Sequence, residues 1–392
     1  MSQAQHQAGA QPAPDGIQWE DGKPSLRLGA FTLEPLVRLD ADAGSFFGQD
    51  RTGGYRSGVN LRRGRLGLEA GLGEDFTARF IWEFGGSSPN DYNNIYEAQL
   101  AYTGLGWGTI RIGAFQPQHL PEYAGSSFDL PFMERAAISN IAASLASGST
   151  RLAAGLEARG GFGEGGARWN ASAYLTGGVA STPHDHRQRG VAGRAVALLP
   201  EWSGLQLQVG LNGAAQFHPG TSPGPESIRL RDYPELRIDS RRFLDSGTIR
   251  AGSAWAAGPE LAGRMGPLYV EALWQRVEVD AATGPARRYE GWYAEAAFPL
   301  LGKPRERSDE TGIWKRPKPD GGMGGLELAA RYSVADLRDG DGGARQDIWT
   351  IGLTWFPTDK LRFGIQYENG RTKLADGNRD FQAVGLRAAF NL

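Results

Sequence analysis

The stretch Leu205-Gln206-Leu207-Gln208-Val209-Gly210-Leu211-Asn212 decides the fold class of this chain. Its odd positions are all apolar and its even positions polar or glycine. Side chains spaced this way leave an extended strand on opposite faces, whereas a helix needs apolar residues at i, i+3 and i+4. The same period recurs in both directions. Phe76, Ala78, Phe80, Trp82 and Phe84 alternate with Thr77, Arg79, Ile81 and Glu83. Tyr96, Ala98, Leu100 and Tyr102 alternate with Glu97, Gln99 and Ala101. Leu361, Phe363, Ile365 and Tyr367 oppose Arg362, Gly364, Gln366 and Glu368.

About sixteen such segments run from 31–44 to 381–392, with 252–264 the least regular. Short connections, such as 72–75, 104–108, 199–204 and 357–360, alternate with long ones over 45–57, 86–93, 118–150, 180–189, 218–251 and 373–380. Tight turns at one end and long loops at the other describe an up-and-down barrel. One long connection, 301–323, falls at the short-turn end. The expected fold is all-β: a transmembrane antiparallel up-and-down β-barrel of sixteen strands over 25–392, after a flexible lead-in at 1–24 rich in Gln, Ala, Gly and Pro.

Composition removes the competing classes. The 392 residues carry a formal charge of −2, against a nucleic-acid partner, and no cysteine, which removes disulfides and thiol catalysis. Mean hydropathy is −0.42, and no apolar run approaches the ~18 residues of a spanning helix. A β-barrel survives that test, because polar lumen-facing residues dilute the apolar ones. The start, MSQAQHQAGAQPAPDG, lacks the basic and apolar regions of a signal peptide, as in a mature form.

A barrel of sixteen strands is too wide to fill with side chains, so its lumen is aqueous. The charged face must line the lumen and the apolar face must meet lipid. Aromatics gather at strand ends as interfacial girdles do: Trp82, Phe84, Tyr102, Trp107, Trp169, Trp202, Trp355 and Phe356. The competing reading makes them core residues of a soluble sandwich.

The alternation puts Arg38, Arg63, Arg65, Arg79, Arg111, Arg151, Arg159, Arg331, Arg362 and Arg387 on the lumen face. Glu34, Glu69, Glu83, Glu97, Glu157, Glu271, Glu295, Glu327 and Glu368 share it. Arginine's planar fork suits anions, although cross-strand pairing would merely hydrate the wall. The connection 118–150 is too long for a simple link and is the candidate constriction. In it, Phe128, Phe132 and Met133 would pack on the wall while Glu134 and Arg135 face water. Other motifs are weak. Gly161-Phe162-Gly163-Glu164-Gly165-Gly166 fits G-x-G-x-x-G, but a strand follows it rather than a helix. His184 and His186 supply two metal ligands at most, and Asp339 and Asp341 lack the glutamate of a calcium loop. All five histidines, His6, His119, His184, His186 and His218, lie in the tail or loops, which argues against a barrel hydrolase. No metal or cofactor is expected.

Several motifs resemble the phosphate-selective porin O/P family of Gram-negative outer membranes. They are Asn60-Leu61-Arg62-Arg63-Gly64-Arg65-Leu66-Gly67-Leu68-Glu69-Ala70, Tyr102–Phe115, Phe132-Met133-Glu134-Arg135, Asp245-Ser246-Gly247, Glu327–Ser333 and Gly352–Pro357. They occur in order along nearly the whole chain. The resemblance implies an outer-membrane homotrimeric porin, surrounded by outer-membrane lipid, whose third loop folds inward to constrict the channel. The constriction residues would be Ser126, Ser127, Glu134 and Arg135, and the lumen arginines would guide anions. Phosphate-specific members carry a lysine directly after the paired serines, where this chain has Phe128 followed by Asp129. The expected function is therefore passive diffusion of small hydrophilic solutes with a modest anion preference and weak phosphate affinity. A nonselective or sugar-conducting porin, or a structural barrel, are the alternatives.

Overall fold

The computed structural model describes residues 15–20, 22–49, 53–87, 94–146, 150–163, 165–181, 187–220, 225–340 and 342–392. A hairpin of β1 (Gly16–Glu20) and β2 (Lys23–Leu28) comes first. Nine long strands follow: β3 (Phe31–Phe47), β4 (Gly58–Leu72), β5 (Phe76–Glu83), β6 (Asn94–Leu105), β7 (Gly108–Phe115), β8 (Arg151–Gly161), β9 (Arg168–Val179), β10 (Arg189–Leu198) and β11 (Leu205–His218). A short β12 (Ser227–Asp232) precedes β13 (Leu244–Met265), β14 (Leu268–Ala281) and β15 (Arg287–Leu301). The small pair β16 (Glu306–Arg307) and β17 (Trp314–Lys315) leads to β18 (Gly325–Asp336), β19 (Arg345–Thr358), β20 (Leu361–Leu374) and β21 (Gly377–Asn391).

The long strands, sixteen in all, form one closed antiparallel barrel. Closure comes from β21 pairing with β3, from Gln382↔Phe47 to Asn391↔Arg38. It leaves no barrel edge and satisfies the strand backbone without water. Leu66, Leu68, Phe80, Ile112, Leu211, Ile351 and Ile365 stand exposed on the outer wall. In hydrocarbon that belt is the favourable surface.

Four expectations change. Residues 16–20 and 22–24, placed with the lead-in, lie in the β1–β2 hairpin, which continues the sheet through Leu26↔Leu33; residues 1–14 and 21 lie outside the described ones. Strand β13 begins at Leu244, because its upper part pairs with β12. Phe356 is fully buried beside Phe128, with ring centroids 6.5 Å apart, so it faces inward while Trp355 faces out. Tyr96, expected to face lipid, points into the lumen. Register slips between Ile81↔Glu97 and Trp82↔Ile95, leaving Tyr96 as the unpaired residue of a bulge.

The lumen is far from empty. The 118–150 loop folds inside and carries a turn at Pro121–Tyr123 and helix α1 (Ala137–Ala146). Ile138, Ile141, Ala142 and Leu145 recur at helical spacing, and all four are buried against the wall, with Val277, Leu273 and Tyr293 in the same cluster. The connection before β13 brings in buried Leu236 and Ile238, and the one between β15 and β18 brings in Ile313 and Trp314. These three insertions cover the wall from β10 round to β21. They confine open space to the side of β3–β8.

Candidate functional site

The loop is fixed by arginines acting on its backbone carbonyls and on its carboxylates, Glu134 above all. The Arg362 guanidinium donates to the carbonyls of Ser127, Phe128 and Phe132 at 3.3, 3.2 and 3.0 Å. Phe128, Phe132 and Met133 are buried against the wall. Glu134 corrects the sequence reading: it is 1% exposed, not at the water surface. Arg62 grips it in a fork at 2.8 and 2.9 Å, Arg387 lies at 2.7 Å, Arg237 at 3.4 Å and Arg63 at 3.8 Å. Burial alone would raise its pKa, but those four guanidiniums hold the carboxyl well below the usual range.

Arg62 was absent from the expected lumen face. A register shift between Asp40↔Arg63 and Ala41↔Leu61 makes it the extra residue of a bulge, so two consecutive arginines point inward. Arg63 also meets Asp40 at 2.6 Å.

Among the described residues two large water-accessible chambers stand inside the barrel. The outer one, of about 880 Å³, is bordered by Arg63, Arg135, Arg151, Arg231, Arg237 and Arg242. The inner one, of about 430 Å³, is bordered by Arg38, Arg79, Arg111, Ser126, Ile313 and Lys315. Arg65, Tyr96, Gln116 and Tyr123 border both and mark the junction between them. Arg65 lies 3.3 Å over the Tyr96 ring, and Arg135 lies 4.0 Å over the Tyr123 ring. The junction therefore carries two guanidinium–phenol stacks, contacts that desolvation strengthens.

Most expected lumen cations have carboxylate partners. Arg38 forks onto Asp40 at 2.9 Å and reaches the Ser126 hydroxyl at 3.1 Å. Arg65 pairs with Glu83 at 2.5 Å, Arg79 with Glu69, and Arg111 with Glu157 at 2.7 Å. Arg331 and Arg362 are corrected: both are 1% exposed beneath the loop, outside either chamber. Arg331 sits between Glu122, Glu235 and Glu295. Arg362 spends its donors on carbonyls. Ser127 borders the outer chamber and Ser126 the inner one.

A smaller set of chamber-lining cations has no carboxylate within 4.0 Å among the described residues. Arg231 and Arg242 lie in the outer chamber. Arg151 donates to the Gly177 and Ser144 carbonyls, and Arg135 to the Glu122 carbonyl at 2.7 Å. Lys315 follows in the inner chamber. Glu310 borders that chamber with no cation within 4.0 Å among the described residues. Among the described residues no metal-binding cluster forms. His119 is buried, which pushes its pKa down to about 3 and keeps it neutral. His6, His184, His186 and Asp341 lie outside the described residues.

Residues 36–392 match the family described as "Phosphate-selective porin O and P". The chain is 28% identical to an uncharacterized protein of Caulobacter vibrioides, over 94% of this chain and 75% of that one. It is 24% identical to Porin O of Pseudomonas aeruginosa, over 91% of this chain and 87% of that one. In fold it is similar to OmpT, an outer membrane protein of Vibrio cholerae solved in a trimer form. The TM-score is 0.54 at 10% identity, covering 93% of this chain and all of the other.

Proposed function

This chain belongs to the phosphate-selective porin O and P family and is a channel of the bacterial outer membrane, not an enzyme; from that premise we infer how it chooses its solutes. The observation that carries the reading is the series of unneutralised cations, Arg231 and Arg242, Arg151, Arg135 and Lys315, running from the outer chamber through the junction to the inner one. A unit charge 4 Å away is worth roughly 1 kcal/mol in bulk water and about 4 kcal/mol at an effective dielectric near 20. Small anions gain that attraction along the path and cations lose it.

The preference is modest. The junction cation Arg65 is already paired with Glu83, and no lysine follows Ser127. Arg135, stacked on the junction residue Tyr123, supplies a single free charge there, too little to replace a phosphate's hydration. Phosphate should therefore reduce chloride current in planar bilayers only at millimolar concentrations. Half-block at micromolar phosphate would contradict this account. A sugar path is disfavoured, because Phe128 and Phe132 are buried and Tyr96 and Tyr123 each carry a guanidinium on one face.

The assembly we propose is a homotrimer, as the OmpT fold adopts in its trimer form. Light scattering in mild detergent should report three chains per particle. Monomers alone would contradict it.

A further inference from the structure

The lumen side of an ion channel has no use for aliphatic side chains, yet this one carries a strip of them. Cross-strand register sets Leu36 beside Gly67 and Gly67 beside Ile81, so three adjacent strands present an apolar row inward. One step above lies the charged row Arg38, Arg65 and Glu83; one step below lies Glu34, Glu69 and Arg79. Gly67 keeps the strip flat, since a Cβ there would come within 2.8 Å of Ile81 Cγ1. Ile313, on the segment that enters between β15 and β18, borders the same inner chamber as Leu36 and Ile81. Lys315, two residues along, adds a cation with no carboxylate within 4.0 Å among the described residues.

We propose that the inner chamber is a transit site for small organic carboxylates with an apolar body about the size of one ring. The proposal rests on the anion-channel reading above and names the solute class of that same path. The carboxylate is held by Lys315, with the guanidiniums of Arg38 and Arg79 in the flanking mixed-charge rows beside it, and the body lies on Leu36, Gly67, Ile81 and Ile313. A chamber of about 430 Å³ is within the usual range for small-molecule sites. Inorganic phosphate and acetate offer the strip nothing to bury.

The test is block of chloride current in planar bilayers by benzoate, acetate and inorganic phosphate, with the reversal potential read in the same membranes. Benzoate should reduce the current at a concentration about tenfold below acetate, the effect of burying most of one ring face. Ile81→Thr and, as a second variant, Leu36→Thr should each bring the benzoate-to-acetate ratio toward one. Equal block by benzoate and acetate in the intact protein, or an unchanged ratio in both variants, overturns the proposal while leaving anion preference standing. A reversal potential without anion preference overturns the reading beneath it.

Discussion

Glu134→Ala should open the channel. The substitution strips the shared partner from Arg62, Arg387, Arg237 and Arg63, none of which is on the surface. Arg63, Arg387 and Arg237 keep Asp40, Asp42 and Asp232, but Arg62 is left buried without a carboxylate among the described residues, and removing one side of a buried ion pair costs about 3–5 kcal/mol. The loop is also held by Arg362 and by Phe128, Phe132 and Met133, so the barrel itself should survive. Single-channel conductance should rise severalfold, and trypsin should cut at Arg135 in the variant far faster than in the parent. Acid should imitate the variant. The folded pKa of Glu134 lies below its ordinary value, so its contribution is complete above about pH 4.5 and is lost as pH falls toward the folded pKa. Loop protection should therefore hold at pH 6 and fail only in acid well below the ordinary carboxylate range. Loosening between pH 8 and pH 6 would point to a different anchor.

Arg135→Ala should act on selectivity with little effect on the fold. Its side chain spends one hydrogen bond on the Glu122 carbonyl and otherwise lies against Tyr123, so no carboxylate is orphaned by its loss. At the junction the missing charge is worth about 1 kcal/mol, or roughly a fivefold fall in the anion-to-cation permeability ratio. Arg135→Lys keeps the charge and should hold most of the ratio. If Arg135→Ala leaves the reversal potential unchanged, selectivity is set elsewhere along the path.

The barrel was legible because each strand faces two solvents. Lipid on one side and water on the other force the two-residue period seen in Leu205–Asn212, and tight turns such as 72–75 punctuate it. The site was legible only where that period holds. Arg38, Arg65, Arg79, Arg111 and Arg151 follow it and border the chambers. Arg62 and Tyr96 break it, each at a bulge whose extra residue leaves no mark in composition or spacing. Glu134 was misplaced for another reason. A charged residue beside Arg135 in a loop ordinarily faces water, and its burial follows from four arginines distant in the chain that converge only once the barrel closes. Helix α1 had a signal, Ile138, Ile141, Ala142 and Leu145 at helical spacing, within a connection read only as the candidate constriction. The long connection at the short-turn end was visible as an oddity. Its entry into the lumen depends on contacts such as the Arg305–Glu327 fork at 2.7 Å and Arg316–Asp129 at 2.7 Å, which no local pattern announces.

The most direct test of the central claim is the reversal potential of the unaltered protein in a potassium chloride gradient. If the free cations from Arg231 to Lys315 set the field of the path, its sign must report chloride as the more permeant ion, and the preference must weaken as salt is raised and the charges are screened. A zero potential, or one reporting potassium as the more permeant ion, contradicts the account.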